Sequence, residues 1–107
     1  HKPHRDIQNE EASISLSAEK LMADFLNQSD SATAKYVDQI VEVDGVLSEI
    51  LVEERGLVIE PGIYGSLDSS ASLPNLKSGD AIRIRGRVLS FDDLMEEVKL
   101  DYVQVLE

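Results

Sequence analysis

Three arginines occupy alternate positions in the apolar segment Ala81–Ser90: Arg83, Arg85 and Arg87. This alternation places their guanidinium groups on one face of a strand. Because each guanidinium is a planar fork of donors, the row could bind phosphate groups. The alternative is structural, because opposite charges facing each other across a sheet contribute roughly 0.2–1 kcal/mol per pair. We expect the structural role, with these acidic residues as candidate partners: Glu42, Asp44, Glu97 and Asp101.

A second group with chemical potential is the carboxylate cluster Asp92, Asp93, Glu96 and Glu97. Carboxylate oxygens are ligands that Ca²⁺ and Mg²⁺ prefer. The segment lacks the ligand spacing and the glycine of an EF-hand loop, so we interpret it as a solvated acidic turn. The sequence therefore predicts no metal site here.

Residues that usually carry nucleophilic catalysis are almost absent from the chain. It has no cysteine, and its two histidines, His1 and His4, stand at the start of the sequence. A thiolate nucleophile is excluded, and a histidine base within the folded part is excluded with it. No glycine-rich phosphate loop occurs either. We expect a protein that is not an enzyme and that uses no cofactor.

The length of the chain and its net charge limit the domain count and the class of binding partner. The chain has 107 residues, enough for one small domain, and its formal net charge is -11. Because the acidic residues are spread along the sequence, the surface should repel phosphate backbones. The composition favours cationic or neutral partners and makes nucleic acid an unexpected one.

The pattern of apolar residues divides the chain into a lead-in and one domain. Residues 1–13 are polar and predict a flexible linker, and residues 14–107 form the domain. Helices are predicted within 17–37, with Ser17 as N-cap and an apolar face that continues to Leu26. From Gln39 the period changes to two, which predicts strands over 39–106.

Two glycines interrupt long alternating segments: Gly45 in Gln39–Leu47 and Gly86 in Ala81–Val88. Glycine is rare inside strands and indicates a bulge or strong coiling. Five strands, with a long coiled first strand, predict a mainly β protein. The expected fold is a five-stranded OB-fold Greek-key barrel capped by one or two short N-terminal helices.

Residues 21–107 resemble the bacterial tRNA_anti-like family of OB-fold proteins. The resemblance rests on a helical segment, a first strand and a fourth strand, with these residues: Leu21, Phe25, Asn27, Ala32, Ala34 and Tyr36; Val41, Val43 and Gly45; Gly79, Asp80, Ile82, Ile84, Gly86 and Val88. The opening Lys2–Asp6 also resembles the segment that follows an N-terminal membrane helix in proteins of this type. The resemblance thus implies a membrane-anchored, periplasmic domain at the bacterial envelope, with a cytoplasmic location as the alternative.

An OB-fold usually binds ligands on the face of its second and third strands, between the loops that join strands one to two and four to five. On this sequence that surface would include Arg55, Tyr64 and Phe91. We expect a non-catalytic interaction module that contacts a protein, a peptide or a small non-nucleic ligand there. The alternative is a single-stranded nucleic-acid (tRNA-like) binding domain that uses the same three residues, aided by Arg87.

Overall fold

The structure is a computed structural model that describes residues 14–72 and 75–106. The elements of this part of the chain are β1 Ile14–Ser17, α1 Ala18–Asn27, α2 Ser29–Tyr36, β2 Ile40–Leu51, β3 Gly56–Glu60, β4 Ile63–Leu67, β5 Ala81–Asp92 and β6 Glu97–Val105. Five of the strands close into a barrel, and two short helices accompany it, which confirms the predicted OB-fold class. The predicted lead-in 1–13 lies outside the described residues.

The barrel closes through β2, which pairs with two strands in succession. Its first half pairs antiparallel with β5 and its second half antiparallel with β3. Val46 stands at the changeover, opposite both Ala81 of β5 and Glu60 of β3. The ladder continues from β3 to β4, from β4 in parallel to β6, and from β6 back to β5. This is the Greek-key order expected of the fold.

Both interior glycines stand where neighbouring strands approach too closely for a side chain. A Cβ atom at Gly45 would lie 2.5 Å from Cγ2 of Ile59 and 3.0 Å from Cβ of Ala18. A Cβ atom at Gly86 would lie 2.9 Å from Cγ2 of Val103, next to an irregularity in the β5–β6 register. The missing side chains thus permit the bends that bring the strands round the barrel.

Helix α1 closes one end of the barrel. It begins after Ser17, whose Oγ accepts a hydrogen bond from the backbone N of Lys20 at 3.1 Å. The face buried against the barrel consists of Ala18, Leu21, Met22 and Phe25. Leu26, predicted on the same face, is 49% exposed because it lies beside this stripe in the last turn of the helix.

One strand was not predicted from the sequence. β1 has four residues and pairs in parallel with β2, from Ile14 opposite Val41 to Ser17 opposite Asp44. Four residues give too short an alternation to identify a strand. Both helices lie within the predicted range 17–37, and the strands β2 to β6 lie within the predicted range 39–106.

Candidate binding face

We define the β3–β4 face as the outward surface of β3 and β4 together with the turns Val52–Arg55 and Asp93–Glu96 that border it. Ile63, Gly65 and Leu67 are buried, so Tyr64 points outward, as predicted. Pairing across the sheet aligns one outward row: Glu49, Val58, Tyr64 and Lys99. This row crosses the surface that OB-folds use for ligands.

Tyr64 is the central aromatic residue of the β3–β4 face. Its hydroxyl donates a hydrogen bond to Oε2 of Glu54 at 2.7 Å. The ring lies close to Gly56, where an added Cβ would be 2.5 Å from the phenol oxygen. Burial, then the hydrogen bond to Glu54, then the charges of Glu54 and Glu97 raise the pKa of Tyr64 to about 12. Tyr64 is therefore neutral at physiological pH, and its hydroxyl proton is already engaged by a carboxylate.

Arg55 lies in the predicted turn, but its charged group is directed into the fold. One guanidinium nitrogen donates to the backbone oxygen of Asp68 at 3.0 Å and also to the backbone oxygen of Ala71. The backbone N of Leu67 donates to the oxygen of Arg55 at 2.8 Å. These bonds attach the segment after β4 to the β2–β3 turn, so the side chain has a structural use where the sequence predicts a ligand contact.

Phe91, the third predicted ligand residue, contacts helix α1. Its ring stacks on Phe25 with the centroids 5.1 Å apart and the planes 18° apart, and it packs partly buried against the core. Arg55 and Tyr64 share one end of the β3–β4 face, because Tyr64 bonds the neighbour of Arg55 in the turn. The structure does not bring Phe91 to them.

The arginine row on β5 forms ion pairs across the sheet. Nε of Arg83 lies 2.7 Å from Oδ1 of Asp44 on β2. Arg87 binds Asp101 on β6 through two bonds, of 2.9 Å from Nε and 2.5 Å from Nη2. The hydrogen bond to Asp44 raises the pKa of Arg83, and the hydrogen bond to Asp101 raises that of Arg87. The predicted cross-strand pairing is therefore confirmed for both acids.

The other two predicted partners differ from each other. Glu42 stands opposite Arg85 in the β2–β5 register, as the pattern indicated. Glu97, however, stands opposite Asp92 at the start of β6, away from the arginine row. The prediction for Glu97 was wrong because Arg87 pairs with Asp101, so antiparallel pairing places Glu97, four residues earlier in β6, near the end of β5 and beyond the arginines.

The acidic turn between β5 and β6 is an ordered structure. Oδ1 of Asp92 accepts hydrogen bonds from the backbone N of Leu94 at 3.0 Å and of Met95 at 3.1 Å. Within residues 14–72 and 75–106, no three His, Asp or Glu side chains group so as to hold a metal ion. The turn instead exposes two large apolar side chains, since Leu94 is 87% and Met95 70% exposed. Their signal in the sequence is an apolar pair between two acidic pairs, in a segment whose charge alone predicts a solvated turn.

Comparison with known proteins gives the family. The sequence model of the tRNA_anti-like family matches residues 1–62, more than half of the chain. The chain belongs to the tRNA_anti-like family. The match includes the helical segment and the first strand on which the resemblance was based, and it ends before the fourth-strand residues 79–88.

The fold of this tRNA_anti-like protein is also similar to a solved structure. A "putative nucleic acid-binding lipoprotein" from Klebsiella pneumoniae subsp. pneumoniae MGH 78578 superposes with a TM-score of 0.68 at 18% sequence identity. The alignment covers 87% of this chain and 91% of that chain. No curated protein matches the sequence.

A search of the described residues of the tRNA_anti-like protein for membrane-spanning helices found none of sufficient length and apolar character.

Proposed function

We propose that this tRNA_anti-like protein is a non-catalytic OB-fold module whose β3–β4 face binds a cationic segment of a protein or peptide. The observation that carries the proposal is the charge of this face. Tyr64 donates its hydroxyl to Glu54, and the exposed carboxylates Glu49 and Glu60 lie on the neighbouring strand ends. These three carboxylates outnumber Lys99, the basic side chain of the outward row, so a cationic ligand would find acceptors here and a phosphate backbone would be repelled.

The basic side chains support the same proposal. Arg83 and Arg87, which could have gripped phosphates, already bind Asp44 and Asp101. Arg55 is bonded to backbone oxygens of the segment after β4. To bind a nucleic acid, these groups would have to exchange carboxylate or carbonyl partners for phosphates, with little net gain.

The non-catalytic part of the proposal rests on residue chemistry. The sequence from residue 14 onward contains neither cysteine nor histidine. Nucleophilic and general-base mechanisms most often need one of these two residue types. A location at the bacterial envelope is proposed from the membrane-proximal resemblance of residues 2–6 and from the likeness to a lipoprotein.

A second candidate function, binding of single-stranded nucleic acid, is favoured by the description of the similar Klebsiella protein as nucleic acid-binding. OB-folds that bind such strands combine stacking aromatics with a positively charged groove. Here Tyr64 could stack a base, but Phe91 is stacked on Phe25 instead. The charge of the face therefore makes this the weaker of the two proposals.

Fluorescence anisotropy separates the two functions. The purified protein is titrated against a labelled lysine-rich peptide and against labelled oligo-dT and oligo-rU, each at low and at high salt. We expect salt-sensitive binding of the peptide and none of the oligonucleotides. The variant Glu54→Gln with Glu60→Gln should weaken peptide binding severalfold, while Asp30→Asn on α2 should not. Tight, salt-sensitive binding of either oligonucleotide would overturn the proposal and establish the second candidate.

A further inference from the structure

Both turns that border the β3–β4 face expose large apolar side chains. Val52 begins the β2–β3 turn and is 61% exposed. Leu94 and Met95 form the tip of the β5–β6 turn and are 87% and 70% exposed. Exposed apolar residues are ordinary when scattered singly, but Leu94 and Met95 are adjacent at the tip of one turn, and Val52 begins the other turn that borders the same face. These three residues, which we name the apolar anchors, flank the face proposed to bind a partner.

Hydrogen bonds hold the two turns in defined shapes. In the β2–β3 turn the backbone N of Arg55 donates to the oxygen of Val52 at 3.2 Å. In the β5–β6 turn the Asp92 carboxylate accepts from the backbone N of Leu94 and of Met95. The backbone of each turn that carries the anchors is therefore formed in advance, so a partner would lose little affinity to ordering that backbone.

The position of each turn follows from the strand pairing. Gly56, directly after the first turn, pairs with Ser66 near the end of β4. Val98, shortly after the second turn, pairs with Ile63 at the start of β4, and its N donates to the oxygen of Gly62 at 2.9 Å. The turns thus stand beyond opposite ends of β4, whose five residues correspond to about 16 Å.

Carboxylates accompany the anchors at both ends. Val52 is followed by Glu53 and Glu54, and the Leu94–Met95 pair stands between Asp93 and Glu96. Such a rim would be repelled by the anionic surface of a bacterial membrane and attracted by basic side chains. Charge complementarity therefore selects a basic protein segment as the occupant.

From this arrangement we infer that the partner is an extended, lysine- or arginine-rich segment with two apolar side chains about six residues apart, one on Val52 and one on Leu94 and Met95. In an extended peptide, residues six apart lie on the same side and about 20 Å from each other. A segment of that length can reach from one turn to the other, since the two turns lie beyond opposite ends of β4. This inference rests on the proposed function and specifies its partner.

The test uses two labelled peptides that differ only at the anchor positions. Both have lysines at alternate internal positions; one has leucine at its first and seventh positions and the other has alanine there. We expect the leucine peptide to bind the protein at least tenfold more tightly. The variant Leu94→Ser with Met95→Ser, and separately Val52→Ser, should remove most of that preference. Leu106→Ser, an exposed apolar site beside Arg83 at the far end of β6, should retain it.

The outcomes separate this inference from the proposed function. Equal affinity for the two peptides, with binding still weakened in the variant Glu54→Gln with Glu60→Gln, would overturn the apolar anchors and leave the proposed cation-binding face standing. Equal loss in the Leu106→Ser control would also overturn them. If the parent protein binds neither peptide, both proposals are overturned. Binding to phosphatidylglycerol vesicles that depends on Leu94 and Met95 would show a membrane contact in place of a peptide one. Unchanged thermal unfolding of each variant confirms that it is folded.

Discussion

Replacing Gly45 by alanine should destabilise the protein, although the same change in an ordinary strand would stabilise it. Alanine reduces the entropy of the unfolded chain, a gain of about 0.4–1 kcal/mol where the native backbone accepts it. At Gly45 the new methyl carbon would stand 2.5 Å from Cγ2 of Ile59, where about 3.5–4.0 Å is the favourable separation. Ile59 is fully buried and Ala18 blocks the other side at 3.0 Å, so neither neighbour can retreat freely.

Overpacking of this kind costs about 1–3 kcal/mol, which exceeds the entropic gain. For a domain of this size such a loss lowers Tm by roughly 4–20 °C. Urea unfolding followed by circular dichroism measures the free energy of unfolding for Gly45→Ala, Ile59→Ala and the double variant. Ile59→Ala alone should cost about 2–5 kcal/mol, and the double variant should cost at least ~1 kcal/mol less than the sum. A Gly45→Ala protein as stable as the parent, or strictly additive effects, would refute the steric account of barrel closure.

Two further predictions concern polar pairs. Burial and then the hydrogen bond to Asp24, 2.5 Å from the phenol oxygen, raise the pKa of Tyr36 to about 12. The folded state holds the phenol proton of Tyr36 more tightly than the unfolded state does. The stability that this protonated phenol contributes is therefore complete below pH 10 and is lost between about pH 10 and 12. That loss amounts to roughly 3 kcal/mol, so Tyr36→Phe should show a shallower alkaline loss in urea unfolding at several pH values. Arg87→Lys should lower the free energy of unfolding by about 1 kcal/mol at low salt, since it loses the two-bond contact to Asp101, and both side chains are only 23% exposed. Arg83→Lys, whose ion pair is half exposed, is the control and should change less; an equal effect would contradict the role of burial.

Features that depend on neighbouring positions along the chain could be predicted. The apolar alternation of β2 and β5 and the outward position of Tyr64 follow from the period of two in a strand. The pairing of Arg83 with Asp44 could also be predicted, because alternate arginines on one strand face need acidic partners and Asp44 was among the four candidates. The hydrogen-bond partners of the Arg55 side chain could not be predicted, since the carbonyl groups that it binds belong to a segment without regular structure.

Sequence alone thus determined the barrel class, the positions where strands need glycine and the acidic character of the surface. These properties depend on local periodicity and on composition, which the order of residues states directly. Tertiary structure decided that β1 joins the sheet in parallel, that Phe91 stacks on Phe25, and that Val52, Leu94 and Met95 border one face. Each of these features depends on how separate segments are brought together. Closure of the barrel sets the distances between such segments, because strands that are remote along the chain pack against each other.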